Sequence, residues 1–135
     1  AREVGEREGR DVLIMDGSPG IGCPVIASLS GTDLALIVTE PTLSGVHDLE
    51  RIAGLARHFK IRAVCAVNKF DINLGNTERI ESWCAGQAIP VVGKVPFDPA
   101  VMKSVAGGVP LVEFSRGAAA GSVRALWETL REHLR

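Results

Sequence analysis

The residues with the clearest chemical potential follow a short apolar run near the start of the chain. Residues 12–15 are Val, Leu, Ile and Met, Asp16 comes directly after them, and a turn rich in Gly and Pro covers residues 17–22. Ligands of open parallel sheets bind where the strands end, and a carboxylate there can hold Mg²⁺ directly or through water. The pattern predicts a metal-binding carboxylate beside a phosphate-sensing loop. The alternative is an Asp that caps a tight turn.

A second polar strand end lies at residues 67–71, Val-Asn-Lys-Phe-Asp, where the apolar run 63–67 ends. The amide of Asn68 can donate and accept hydrogen bonds together, which suits it to recognise a purine ring. The spacing Asn-Lys-x-Asp is also the base-recognition pattern of GTPases, in which the Asp accepts hydrogen bonds from guanine. The alternative is a strand end with a turn-forming Asn and Asp.

A third polar strand end follows the apolar run 34–38. Residues 39–42 are Thr-Glu-Pro-Thr, and they lead directly into a helical pattern. Their polar side chains would crowd the same edge of the sheet as the other strand ends. The alternative is an N-terminal cap for the helix, supplied by Thr42 or Ser44.

The fourth apolar run, residues 91–95, is followed by Pro96 and Asp98. Because Pro99 comes next, the pattern favours Asp98 as the N-cap of a helix with proline at its first position. The loop would still line one side of a bound base. Four polar strand ends in one row are stronger evidence for a ligand site than any single match.

The elements that must position these loops alternate along the chain. Between and after the apolar runs, helices are predicted at residues 43–59, at 77–88 with Asn76 as N-cap, at 99–106 and at 118–134. Strands that alternate with helices predict an α/β fold with a mostly parallel sheet.

Composition narrows the class of protein. The chain has 135 residues, 46% of them hydrophobic, which suits one domain with a packed core. Its 15 basic and 16 acidic residues give a net charge of −1, so no basic field for nucleic acid follows. Cys23, Cys65 and Cys84 lack metal-ligand spacing and are interpreted as buried small hydrophobes in a reducing cytosol.

No membrane role is predicted for the chain. No segment has 18 uncharged apolar residues. The last helix, residues 118–134, has an apolar face that includes Trp127, but its polar face mixes acidic and basic residues. Helices that lie on membranes favour a basic excess, so we expect this helix to pack on the sheet. The expectation is a soluble, cytoplasmic domain.

At this point the chain resembles a known family. The segments DVLIMDGSPGIGCPV, IVTEPTLSGVHDLERI, VNKFD and GKVPFDPAVMKSVAGGVPLVEF are similar, in order, to segments of the MinD/ParA family of deviant-Walker ATPases. They look closest to the subgroup with an inserted 4Fe-4S ferredoxin-like domain. The resemblance spans residues 9–134. It implies that residues 1–135 are the C-terminal part of a CobQ/CobB/MinD/ParA-type nucleotide-binding domain. The implied fold is a three-layer P-loop NTPase-like sheet without its N-terminal P-loop strand.

The resemblance also implies roles for the strand ends. Asp16 matches the Walker B aspartate, which acts on Mg²⁺ through water and is the implied catalytic and metal-binding residue. The turn that follows matches the switch II loop, and Asn68 matches the residue that reads adenine. Glu40 and Pro41, with the following Ser44 to Asp48, match a dimer-facing region. The implied cofactor-binding residues are Gly17, Pro19, Gly20, Glu40, Pro41, Asn68, Pro96 and Asp98.

Cofactors and partners follow from the same resemblance. The intact protein is expected to bind ATP and Mg²⁺, to hydrolyse ATP, and to form a homodimer. An Fe–S or electron-transfer protein is an expected partner. The family binds ATP although NKFD looks like a GTPase motif, so Lys69 and Asp71 are not evidence for GTP.

The chain departs from the family in one large respect. Neither GxxxxGK[ST] nor KGGxGK occurs, and the ferredoxin cysteines are absent. Without the loop and its lysine, the β- and γ-phosphates have little to hold them. We therefore expect an N-terminally truncated segment, inactive alone, with any 4Fe-4S clusters in the missing part. The absent strand would leave unpaired edges at residues 12–16 and 34–38, which would close on each other or pair with a second chain.

Two other interpretations stay open. The chain could be a non-catalytic α/β binding or scaffold domain without a phosphate loop. A receiver-type phosphoacceptor domain shares the acidic strand ends, but it needs an acidic pair near the first strand, which this sequence lacks.

Overall fold

The computed structural model describes residues 11–18 and 22–135, so the predicted site residues Pro19 and Gly20 lie outside the described part of the chain. Three strands and six α-helices alternate along it. They are, in order, α1 (Cys23–Leu29), β1 (Leu34–Thr39), α2 (Leu43–His58), β2 (Arg62–Asn68), a 3₁₀ turn (Phe70–Ile72), α3 (Leu74–Gly86), β3 (Val91–Val95), α4 (Pro99–Ala106), α5 (Leu111–Phe114) and α6 (Ala118–Leu134).

The strands form one parallel sheet in the order β1-β2-β3. Leu36 is opposite Val64, and the pairing of β2 with β3 is interrupted by a bulge between Cys65 and Ala66. Each crossover between neighbouring strands contains a helix, as parallel pairing requires. The predicted α/β class is confirmed.

The predicted strand at residues 12–15 is wrong. Residues 12–18 have no regular secondary structure and are all exposed. A strand needs a neighbour that accepts its backbone hydrogen bonds, and none of the described strands pairs with this run. A cleft of about 660 Å³, here called the edge cleft, is lined by residues 12–18, by β1 and by the end of α6. The sheet therefore does not close between residues 12–16 and β1.

One face of the sheet carries the main core. The helix α2 begins after Thr42, whose side chain accepts a hydrogen bond from the Gly45 N–H, so the predicted Thr42 cap is confirmed. Its apolar stripe faces the strands, as does that of α3. The buried cluster consists of Ile37, Leu49, Ala53, Cys65, Val67, Ile80, Cys84 and Ile89.

The last helix, α6, packs against β3, as expected for residues 118–134. Gly93 permits the close approach, because a Cβ at that position would lie 3.0 Å from Leu126 Cδ1. Within the described ranges, no helix is both long enough and apolar enough to span a bilayer.

One helix begins at a different residue from the one predicted, because a different asparagine caps it. Asn73, not Asn76, caps α3: its Oδ1 accepts a hydrogen bond from the Asn76 N–H at 3.0 Å. The helix begins three residues earlier than predicted because Asn73 adopts the extended backbone of an N-cap. The helix α4 has the predicted bounds, whereas α1, α5 and the 3₁₀ turn were not predicted.

The three cysteines differ in burial. Cys65 and Cys84 are fully buried in the core, as predicted, but Cys23 is exposed at the start of α1. All three are free thiols. The neighbouring Cys84 thiol and burial both raise the pKa of the Cys65 thiol above its ordinary value. Cys65 therefore stays protonated in the folded protein.

Candidate functional site

Three loops meet at the carboxyl edge of the sheet because the strands are parallel and in register. Thr39, at the end of β1, is opposite Val67, and Asn68, at the end of β2, is opposite Val95 at the end of β3. The loops that follow are here called the β1 loop (residues 40–42), the β2 loop (69–73) and the β3 loop (96–98). The candidate functional site is the region where these three loops meet.

The β1 and β2 loops are joined by an ion pair. Lys69 Nζ lies 2.8 Å from Glu40 Oε1, with 41% of the lysine side chain and 40% of the glutamate side chain exposed. Lys69 has a left-handed backbone with φ of 51°, which is uncommon outside glycine. This backbone turns the chain sharply after Asn68, directly before the 3₁₀ turn.

The β2 and β3 loops are joined by a short hydrogen bond. The Phe97 N–H donates to Asp71 Oδ1 at 2.7 Å. A carboxylate that accepts from a backbone N–H makes a stronger bond than a neutral acceptor does. The sequence separation of 26 residues meant that no local pattern predicted this contact.

Asn68 lies between these two contacts at the end of β2. It is half-buried, and within residues 11–18 and 22–135 its side-chain amide makes no hydrogen bond. Pro96, which follows its register partner Val95, is also half-buried. An amide with free donor and acceptor atoms at a strand end can bind a heterocyclic base.

Both carboxylate oxygens of Asp98 accept hydrogen bonds from backbone N–H groups. Its Oδ1 accepts from the Ala100 N–H at 2.9 Å, and its Oδ2 lies 3.4 Å from the Ala119 N–H that donates to it. One carboxylate thus caps α4 and contacts the start of α6. The contacts agree with the cap interpretation of Asp98, while its contact with a cofactor stays a prediction.

The β1 loop has little freedom to move. Pro41 is fully buried, and its carbonyl accepts a hydrogen bond from Asn76 Nδ2 at 3.1 Å. Thr39 Oγ1 donates to the Gly45 carbonyl at 2.9 Å. A Cβ on Gly45 would lie only 2.2 Å from the Glu40 carbonyl oxygen, so this position requires glycine. Gly45 was predicted only as part of a dimer-facing stretch, and its packing role was not predicted, although a glycine in the first turn of a helix was a usable signal.

Asp16 and Gly17 line the edge cleft together with residues of β1 and are not part of the three loops. Both are exposed. In the described ranges, no three or more His, Cys, Asp or Glu side chains are grouped so that they could hold a metal ion. A lone carboxylate suits Mg²⁺, which takes one or two protein carboxylates and fills its shell with water and phosphate.

The described residues offer more groups that could bind a heterocyclic base than groups that could bind phosphates. The three loops offer hydrogen-bonding groups for a base. Among the described residues, the lining of the edge cleft beside Asp16 is mainly apolar and includes no lysine or arginine. Lys69, in the β2 loop, is paired with Glu40. The described residues therefore do not form a cradle for the phosphates.

Solved structures with this architecture define the class of protein. The cell division protein MinD of Aquifex aeolicus superposes with a TM-score of 0.83 at 23% identity, over 97% of this chain and 57% of that one. MinD of Pyrococcus horikoshii, solved with Mg-ADP, gives a TM-score of 0.76 at 16% identity, over 87% of this chain and 49% of that one. The chain has the P-loop NTPase-like α/β fold.

Sequence relatives narrow the class to a family. No protein-family model matches the chain. An uncharacterised protein of Methanocaldococcus jannaschii is 31% identical over 90% of this chain and 40% of its own length. An iron-sulfur cluster carrier protein of Mycobacterium tuberculosis is 33% identical over 82% of this chain and 34% of its own. An uncharacterised ATP-binding protein of M. jannaschii is 28% identical, over 76% of this chain and 39% of its own.

Fold and sequence together establish that the chain belongs to the MinD/ParA family. It spans well under half the length of the sequence relatives it matches.

Proposed function

We propose that this chain supplies the base-binding loops and the switch carboxylate of a MinD/ParA-like ATP-binding protein. The observation that carries the proposal is the position of the Asn68 amide, which makes no hydrogen bond to the described residues. It lies between two loop-to-loop contacts at the carboxyl edge of the sheet. Likeness to an ATP-binding relative supports adenine as the base.

We further propose that Asp16 and Gly17 act on Mg²⁺ and the γ-phosphate only when a phosphate-binding loop is present. They line the edge cleft together with β1, and the described residues of that lining are mostly apolar and offer the phosphates no cation. The 135-residue chain alone is therefore expected to bind adenine nucleotide weakly and not to hydrolyse ATP.

Two variants test this proposal by equilibrium binding of ADP. Replacing Asn68→Ala removes the amide at the site, whereas Gln87→Ala removes an amide that follows α3 and accepts from Arg57. We expect N68A to weaken ADP binding about tenfold, and Q87A to leave it unchanged. Equal affinity of N68A and the wild-type chain would contradict the assignment of Asn68.

Release of inorganic phosphate tests the second part. The wild-type chain with ATP and Mg²⁺ is expected to release no more phosphate than the Asp16→Ala variant does. Turnover that exceeds background and disappears in D16A would show that the chain itself is an ATPase.

Association with iron–sulfur chemistry is a further part of the proposal, supported by 33% identity to an iron-sulfur cluster carrier protein. The described residues contain no group of side chains placed for a metal. An Fe–S or electron-transfer protein is the partner that we propose for the intact protein. We also propose that the intact protein is a homodimer in the cytoplasm.

The competing function is a non-catalytic α/β scaffold. The fold alone accommodates it, since the edge cleft is an exposed apolar surface of the kind that binds polypeptide. Absence of adenine-nucleotide binding by the wild-type chain would favour this alternative.

A further inference from the structure

We propose that Asp71 is a positioning residue that selects adenine over guanine, because its carboxylate holds the β3 loop instead of facing the base. The inference rests on the proposed nucleotide-binding function and adds the basis of its base specificity. It assigns a role to the one acidic residue of the NKFD run.

The relevant chemistry is the difference between the two purines. Guanine presents adjacent N–H donors, which a free carboxylate can bind with both oxygens, because an ionised carboxylate only accepts hydrogen bonds. Adenine presents one donor group beside an acceptor nitrogen, which suits an amide such as that of Asn68. A free carboxylate beside Asn68 would therefore favour guanine, and an occupied one would not.

Asp71 is occupied in this way. Its Oδ1 accepts the Phe97 N–H at 2.7 Å, which directs this exposed carboxylate toward the β3 loop. Turning both oxygens to a base would compete with the bond between the β2 and β3 loops. The carboxylate is a link between two loops of the site. Pro96, which precedes Phe97, is positioned by the same bond.

The 3₁₀ turn that carries Asp71 is itself fixed. Thr77 is almost fully buried, and its hydroxyl contacts the Phe70 carbonyl at 2.7 Å and the Asn73 carbonyl at 3.1 Å. Lys94 Nζ lies 5.6 Å from the centre of the Phe70 ring and 2.9 Å from Glu81 Oε1. The turn is held from α3 and from β3, which fixes the backbone that carries the Asp71 carboxylate.

Lys69 completes the arrangement. In the same run it pairs with Glu40 across to the β1 loop. Both charged residues of NKFD therefore link neighbouring loops, which leaves Asn68 as the member of the run with free hydrogen-bonding atoms. A sequence pattern typical of guanine binding thus serves a different purpose here.

Hydrogen exchange of the Phe97 amide in the full chain tests the link without nucleotide. Asp71→Ala removes the acceptor, whereas Asp71→Asn keeps a carbonyl oxygen that can accept the same bond. We expect Phe97 to exchange about tenfold faster in D71A than in the wild-type chain, and close to the wild-type rate in D71N. Unchanged exchange in D71A, with strands protected as in the wild type, would overturn the link.

Binding of ADP and GDP tests the selectivity. Phe97→Pro deletes the N–H that occupies Asp71, and Phe97→Ala is its control, because it loses the ring but keeps the N–H. We expect the wild-type chain and F97A to prefer ADP, and F97P to gain affinity for GDP relative to ADP by about tenfold. Protection of the β-strand amides checks that each variant is folded.

The outcomes separate the two proposals. An ADP-to-GDP ratio that is the same in F97P and F97A overturns the selectivity claim. Binding of neither nucleotide by the wild-type chain overturns the proposed function and the selectivity with it. The positioning role of Asp71 is then still decided by the exchange of the Phe97 amide.

Discussion

Lys69 Nζ and Glu40 Oε1, 2.8 Å apart, join the loop after β2 to the loop after β1 at the carboxyl edge of the sheet. A second contact, from the Phe97 N–H to Asp71, joins the β2 loop to the β3 loop. Asn68 lies between them. The site is thus a row of three loops joined by side-chain contacts, and these contacts hold together the edge that we propose binds a base.

The first prediction concerns the rigidity of the β1 loop. Gly45→Ala should lower the free energy of unfolding by about 2–3 kcal/mol, because the new Cβ would lie 2.2 Å from the Glu40 carbonyl oxygen. Gly54→Ala, in the same helix with nothing within 4 Å of its Cβ, should raise it by about 0.5–1 kcal/mol. Urea unfolding measures both. Similar effects of the two substitutions would contradict the described packing of this loop.

The second prediction concerns the packing of α6 on β3. Gly93→Val should destabilise the fold by about 1–3 kcal/mol, because Leu126 Cδ1 lies only 3.0 Å from the site of the new Cβ. Adding Leu126→Ala to Gly93→Val should recover part of that loss, since it makes space for the valine. A double-mutant cycle by urea unfolding gives the coupling, and additive losses would show that the two residues do not touch.

The third prediction concerns the thiols. Cys23 should react with a thiol reagent in the folded protein, while Cys65 and Cys84 should react only on unfolding. Counting labelled cysteines by mass spectrometry, with and without urea, checks this. Rapid labelling of all three in the native protein would contradict the burial of the core pair.

The same core predicts a pH dependence. The contact with Cys84 and burial raise the folded-state pKa of Cys65, while the same contact lowers the pKa of Cys84. The contribution of Cys65 to stability is therefore present below its unfolded pKa, about pH 8.5, and is lost as the pH rises above it. Stability should therefore fall as pH rises beyond that point, by up to about 1.4 kcal/mol per pH unit for this group. Cys65→Ala should show a shallower decline in urea unfolding between pH 8 and 10. Parallel curves for the two proteins would contradict the shift.

The fourth prediction concerns the open edge of β1. Val38 is 60% exposed beside the edge cleft, and an apolar unpaired strand edge favours association with another chain. The wild-type chain is expected to self-associate as concentration rises, and Val38→Lys should stay monomeric. Light scattering over a concentration series measures this. A wild-type chain that is monomeric throughout would contradict edge pairing between copies.

The parts of the fold that were predictable from sequence depend on local signals. The bounds of α4 follow from Asp98, Pro99 and the glycines after Ala106, which are all neighbours in the chain. The strand predicted at residues 12–15 failed because pairing depends on a distant partner that an apolar run does not reveal. Asn73 and Asn76 were both good caps by type, and the backbone at Asn73 decided between them.

The candidate site was likewise predictable from sequence only in part. Its loops were predictable, because each follows an apolar run that becomes a parallel strand. The contacts that organise them were not, since Lys69 meets Glu40 and Asp71 meets Phe97 across different loops. By its spacing in NKFD, Asp71 matches the residue that binds guanine in GTPases. In the structure, its side chain instead joins the β2 loop to the β3 loop.

The central claim is that this chain carries the base-binding end of a nucleotide site without the phosphate-binding end. Titration calorimetry of the wild-type chain with adenosine and with Mg-ATP tests it most directly. We predict affinities within about threefold of each other, because the described residues offer the phosphates no cradle. Binding of Mg-ATP about a hundredfold tighter than adenosine would mean that the phosphates are held, and would contradict the account.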